Sequence, residues 1–306
     1  MLQKRPYCSR VFILILICLG ITYLSNAKDT LDLKKRKNII IAGNSVAYSS
    51  LMIGLNELWY KDYPKSGFHF FNDNKQLLQM DKVGHMYSCY YEGLAGIEMM
   101  KWAGYNQKEY SLIGGAYGLF IQTGVEILDG FSKEWGASPG DMTANIIGTG
   151  LAISQSLYWD EQRFIMKFSF SPSNYSRYRP NVLGNSNLER LIKDYNGQTY
   201  WISCHVNSFL PERKWPDWLN FAIGYSAEGM VGGDDNIFEG NGITYDYSHI
   251  NRNRQFYLSH DIDLSKIKTN KKLLRGILIV FNSLKFPMPT IEYKTETGFK
   301  GHWIKF

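Results

Sequence analysis

The sequence predicts an α+β chain: an apolar bundle of about four helices after an N-terminal signal, then an antiparallel β-rich half carrying one amphipathic helix. Three observations predict it. From Met80 to Trp159 apolar residues run in three segments of helical length, parted by Gly104 and by a loop holding Gly136, Pro139 and Gly140. After Asp160 the pattern changes to period two, in FIMKFSF from Phe164, TYWISCHVN from Thr199 and FYLSHDIDL from Phe256, as strands with one buried face require. KKLLRGILIVFNSL, from Lys271, interrupts that alternation with a helical spacing. The expected boundaries are a signal over 1–27, a polar linker over 28–38, an apolar helical domain over 39–160 and a β-rich region over 161–306.

The signal reading rests on Lys4, Arg5 and Arg10, the apolar run Val11 to Leu24, and the small residues of Ser25-Asn26-Ala27. Cleavage after Ala27 is expected, an uncleaved anchor being the other reading. Cys18 follows Leu16-Ile17, where a lipidation site wants a small residue, so no lipid is expected there. Cys89 and Cys204 remain; an apolar helix holds one and a strand the other, which favours two buried, reduced thiols over a disulfide. The dense basic run Lys34-Lys35-Arg36-Lys37 suits solvent or lipid headgroups. The other basic residues behind the net charge of +6 are scattered. No nucleic-acid module is visible, so no nucleic-acid partner is expected.

Asn38 to Tyr60 is long and apolar enough for a bilayer or a buried helix, with Gly43, Asn44 and Ser45 as a kink. Asn72 to Asn74 can cap the helix after them. The second helix is expected over Leu78 to Ala103 and the third over Tyr110 to Phe131. The fourth opens with Ser138 as N-cap and Pro139 in its first turn, and ends near Trp159. Gly114 with Gly118, and Ala144 with Gly148, repeat a small residue every four, which lets helices approach closely. About six strands complete the chain; Ile291 to Tyr293 and Phe299 to Phe306 close it as a hairpin. There is no internal repeat.

Charges recur on these apolar helices at helical spacing. Asp81 and His85 are four apart, with Glu92 seven further on; Glu126 and Asp129 are three apart, and Asp141 and Asn145 four. A carboxylate buried alone costs several kcal/mol or takes up a proton. The start of the second helix, the end of the third and the start of the fourth fall at one level of an up-down bundle. Asp81, His85, Glu126, Asp129, Asp141 and Asn145 are therefore expected to converge, with a histidinium, Lys82 or Lys133, a shared proton or a cation among them. A structural origin competes at each position: Asp81 and Asp141 suit a helix N-terminus and His85 suits a satisfied core. No CxxC, HExxH or other metal spacing is present, and no cofactor is expected.

DKVGH at Asp81 to His85, EILDGF from Glu126 and WGASPGDMTANIIGTG from Trp135 resemble the YfiM-like family of predicted periplasmic proteins, a domain of unknown function. The likeness covers roughly Trp59 to Trp159. Phe164 to Val231, with DYNGQTYW, resembles longer members from Gram-negative bacteria. A looser likeness joins the chain to VanZ-like membrane proteins, with DKxxH, a later E-x-x-Q and D-x-x-x-N before a Gly. Asp81, His85, Glu126, Asp141, Asn145 and Gly148 match, while Asp129 stands where that pattern has Gln. The resemblance implies an envelope location; VanZ-like proteins are associated with glycopeptide-antibiotic resistance without an established reaction.

Three functions are compatible with these residues. The first is a structural or binding role in the periplasm, on a membrane or envelope lipid, with the polar groups locking the bundle. The second is acid–base or metal-assisted hydrolysis of a lipid-linked envelope substrate by the Asp/His/Glu cluster. The third is an outer-membrane role, since Phe306 on an alternating strand resembles a barrel assembly signal; about six strands fall short of the bacterial minimum of eight.

Overall fold

The computed structural model describes residues 32–305 apart from 62, 213 and 241. The expected signal, Cys18 and Phe306 lie outside the described residues. Helix α1, Leu33–Leu55, opens on Asp32, whose carboxylate accepts the amides of Lys34 and Lys35, and runs into a π-turn, Asn56–Tyr60. The linker expected over 28–38 is thus helical from Leu33, because lysine and arginine are good helix formers once a cap is in place. No residue of α1 is buried; Arg36 and Lys37 lie over the rings of Trp102 and Tyr105 at 5.5 and 4.3 Å.

Helix α2, Met80–Trp102, is the centre of the molecule, and 14 of its 23 residues are buried. A turn over Gln76–Gln79 leads into it with Leu77, Leu78 and Gln79 all left-handed, at φ 49°, 48° and 64°. Helix α3, Tyr117–Gly130, is shorter than expected. A single turn, Gln107–Glu109, and a π-turn, Tyr110–Gly114, precede it, so the continuous helix expected from Tyr110 is broken. The break lets backbones meet: a Cβ on Gly96 would stand 2.1 Å from the Gly114 carbonyl oxygen, and one on Gly93 2.7 Å from that of Gly115. Helix α4, Pro139–Trp159, capped by Ser138 as expected, presses Gly148 onto the Met86 carbonyl of α2.

No strand interrupts residues 82–155. Strands β1 (Phe164–Phe170), β2 (Gln198–Cys204), β3 (Leu219–Glu228), β6 (Asn253–Ile262), β7 (Met288–Lys294) and β8 (Gly298–Lys305) form one antiparallel sheet in the order β1-β2-β3-β6-β7-β8. A separate hairpin of four-residue strands, β4 (Ile237–Gly240) and β5 (Ile243–Asp246), brings the count from the expected six to eight among the described residues. Helix α5, Lys272–Phe281, lies between β6 and β7. The outer edge of β1 is covered, since Phe168 donates to Ser283 at 2.9 Å and accepts from Lys285 at 2.8 Å.

The sheet is curled. Lys167 on β1 reaches Asp261 on β6 at 2.6 Å across two intervening strands, whereas those strands would be ~14 Å apart in a flat sheet. The outer face of β1 and β2 packs on α2, where Tyr87 meets Phe168 and Tyr200 at 6.2 and 5.7 Å and Tyr91 donates to the Met166 carbonyl at 2.5 Å. No disulfide is present among the described residues; Cys89 is buried, and Cys204 is half-buried rather than fully buried.

The glycine seam gives a test. A Cβ on Gly148 would lie 2.1 Å from a backbone oxygen, whereas Gly150, on the same helix, faces open space. Gly148→Ala should cost about 1–3 kcal/mol and lower the thermal midpoint by roughly 2–10 °C. Gly150→Ala should leave it unchanged or slightly higher, alanine being the better helix former.

Candidate functional site

Two helices begin at the same place. Asp81 lies in the first turn of α2 and Asp141 in the first turn of α4, where each carboxylate is favoured by the helix dipole. Between them stands Lys82, whose ammonium lies 2.5 Å from Asp141, 2.7 Å from Asp73 and 3.4 Å from Asp81. Asp73 comes from the loop before α2 and also accepts the hydroxyl of Ser138 at 2.5 Å, while Ser138 caps the Asp141 amide at 3.1 Å. The sheet half contributes Tyr195, which donates to Asp81 at 2.7 Å.

One turn deeper, His85 Nδ1 meets Asn145 Oδ1 at 3.1 Å and His85 Nε2 faces Asp141 at 3.9 Å. The Cys89 thiol also points at Asn145 Oδ1, at 3.3 Å. Glu126, at the end of α3, accepts the Ser138 amide at 2.8 Å. Asp73, Asp81, Glu126, His85, Asp141 and Asn145 are each 7% exposed or less, so these charges are answered by the protein rather than by water.

Of the six residues expected to converge, Asp81, His85, Asp141 and Asn145 do so, with Glu126 at their margin. Asp129 does not; it turns to Tyr60, whose hydroxyl donates to it at 3.2 Å beside Trp135. Its three-residue spacing from Glu126 places it about 60° round the helix, enough to face a different neighbour. Glu92 is paired elsewhere, with Gln122 of α3 at 3.0 and 3.2 Å, and burial raises its carboxyl well above the usual range. Of the alternatives expected there (a histidinium, Lys82 or Lys133, a shared proton or a cation), Lys82 is found between the carboxylates. Asp73 and Tyr195 escaped the sequence reading. Asp73 looked like part of a capping turn. Tyr195 sits in DYNGQTYW, whose composition carries no sign of a partner 114 positions away.

Burial alone would lower the proton affinity of His85, but the carboxylates of Asp141, Asp81 and Glu126 together outweigh it, against opposition from Lys82; the net shift is upward from 6.5. An imidazolium would donate from both nitrogens, to Asn145 and toward Asp141. Asp81, His85 and Asp141 also offer ligand atoms within 4.8 Å of one another, a donor set with the composition of a metal site.

Residues 65–156, which contain Asp73, Lys82, Glu126 and every residue of the Asp81–Asn145 cluster on α2 and α4, match the family described as Predicted periplasmic lipoprotein (DUF2279). No curated protein and no solved structure matches the chain.

The raised affinity of His85 fixes a pH dependence. A histidine that binds its proton more tightly folded than unfolded contributes stability in full below 6.5 and loses it as pH rises through the folded value. Thermal midpoints should therefore fall as pH rises above about 6.5, and His85→Gln should flatten that decline. An equal decline in the variant would place its cause elsewhere.

Proposed function

We propose that the chain is an exported envelope protein with a structural or binding role, and that its buried Asp–Lys–His network is a lock holding the helices to the sheet. The observation that carries this is the ring around Lys82. Three carboxylates from three separate segments share one ammonium, and the sheet half joins them through Tyr195. Asp73, Asp81 and Asp141 are thus answered within the fold, while the buried Asn145 Nδ2 has no hydrogen-bond partner among the described residues. The match to a periplasmic family supports the compartment, and the YfiM-like likeness of the same stretch agrees with it.

A second reading, acid–base or metal-assisted hydrolysis of a lipid-linked envelope substrate, draws on the Asp81, His85 and Asp141 donor set. In that reading Asp81, Asp141 and His85 Nε2 would hold the ion, and Asn145 would orient the imidazole through Nδ1. Lys82 stands against it, since its ammonium already engages both carboxylates. The outer-membrane reading in its barrel form meets a sheet whose described strands end at β1 and β8, with residues 283–285 rather than β8 on the outer edge of β1.

Two measurements separate lock from metal centre. Lys82→Met leaves buried carboxylates without their cation and should cost about 3–5 kcal/mol, whereas Tyr195→Phe should cost about 1–3 kcal/mol. Calorimetric titration of the intact protein with Zn²⁺ or Mg²⁺ should give no saturable heat. A site near one equivalent that His85→Ala abolishes, accompanied by a rise in thermal midpoint on metal addition, would replace the lock with the second reading.

A further inference from the structure

The main sheet has its polarity turned inside out. Along β6, Gln255, Ser259 and Asp261 are buried around one apolar patch of Trp201, Ala222 and Tyr257, while Phe256 and Leu258 are exposed. On β3, Asn220 and Ser226 are buried, while Phe221 and Ile223 are exposed. The enclosed layer is held by polar bonds: Lys167 donates to Asn282 at 3.1 Å, Ser203 to Asp261 at 2.7 Å, and Gln255 to Glu292 at 2.8 Å. At one end it opens into a cavity of about 560 Å³, bordered by Thr199, Ser226 and Gln255. A sheet that faces water on one side normally does the reverse, with apolar residues in and polar residues out.

The apolar face is continuous with one that is already covered. On β1 and β2 it is the interface with α2, made by Phe168 and Tyr200. Across β3, β6, β7 and β8 the same face carries on, met by the turn before α2 at Tyr225 and Arg254 and by Trp215 at Phe221, and beyond those contacts its apolar residues stay exposed. Ile223, Leu258 and Ile291 are 60%, 51% and 53% exposed, and Trp303 is 89% exposed. An apolar hollow of about 500 Å³ lies among Phe221, Leu258, Ile291 and Trp303. Helix α5 has no buried residue; it displays Leu273, Leu274, Ile277 and Phe281 beside the exposed cations Lys271 and Arg275. That composition is the one found on helices lying in the plane of an anionic bilayer surface.

We propose that the uncovered face of the sheet and the apolar side of α5 together seat the protein on a phospholipid bilayer. The hydrocarbon contacts β3, β6, β7 and β8, and anionic headgroups meet the cations of α5. The inference goes beyond the lock, and the lock can fail without it. A second copy of the chain would also cover the apolar face, but it would give the lysines and arginine of α5 no anionic surface to meet.

Trp303 reports the contact directly. The full chain is mixed with phosphatidylethanolamine–phosphatidylglycerol vesicles whose acyl chains are plain or brominated. The fluorescence of Trp303→Phe is subtracted from that of the native protein. This isolates one residue of the open face, so an apolar N-terminal segment tethering the chain cannot produce the signal. Brominated chains should quench the Trp303 contribution. The double variant Ile223→Asp/Ile291→Asp, at two exposed positions separated by β6, should abolish the quenching and weaken vesicle partitioning by about tenfold or more, with an unchanged melting curve. Equal Trp303 emission in the two kinds of vesicle would overturn the proposal. So would a sedimenting dimer in which Trp303 is shielded from the brominated chains, which would assign the face to a second copy.

Discussion

A single ammonium group sets the terms for this structure. Lys82 brings together Asp73, Asp81 and Asp141, and through them the loop before α2 and the first turns of α2 and α4. Like charges this close are tolerable only when a cation and hydrogen-bond donors answer them, because desolvation weakens every alternative. His85 supplies a second positive charge when protonated, and the Ser138 and Tyr195 hydroxyls supply donors. The glycine seam is the other half of the same constraint. Only where Gly148 lies against the Met86 carbonyl can α4 come near enough to α2 for Asp141 and Asn145 to reach Lys82 and His85.

Much of this was legible in the sequence, and what was missed shares a physical character. Helix ends marked by Ser138, Pro139 and Gly104, and strands marked by alternation, come from local chemistry. The face shared by Asp81, His85, Asp141 and Asn145 comes from helical periodicity. Contacts that depend on long separations left no periodic trace, so Tyr195 and Asp73 went unseen. The break before α3 was hidden because Gly114 and Gly115 sit in an otherwise helical run, and a π-turn, with its i→i+5 hydrogen bonds, keeps nearly the same residue pattern as an α-turn. The β4–β5 hairpin is too short for an alternation to register. Period two states which residues share a face, never which face turns inward. The inverted sheet was therefore beyond sequence reading even though its strands were found.

The two halves solve one problem in the same way. Each encloses ionic groups and displays hydrocarbon: α2 and α4 enclose the ring around Lys82, and the sheet encloses Asp261 between Lys167 and Lys285. Burial lowers the Lys285 ammonium to about 8, with the Asp261 carboxylate resisting that fall. Outside, Phe120, Ile127, Ile146 and Ile147 of the helices are exposed, as are the open-face residues of the sheet. Both halves also keep an apolar core, with Tyr87, Tyr90, Met166 and Phe168 among its members, so it is the exposed apolar patches that are unusual.

The left-handed turn at Leu77, Leu78 and Gln79 has a consequence for what counts as a unit in this chain. Three successive non-glycine residues in that conformation carry a cost of about 1–3 kcal/mol each, which must be imposed from outside the turn. The restraints come from the sheet half: the Leu77 amide donates to Gly233, the Leu78 carbonyl accepts from Tyr225 and the Gln79 side chain accepts from Arg254. Asp81 and Lys82 come directly after it in the chain. Excised at the helix–strand boundary, the helical half would lose those clamps, its turn would relax toward ordinary backbone, and the entry of α2 would swing. The composition break near Asp160 is thus a seam in the sequence but not a place where the molecule can be cut and keep its polar ring.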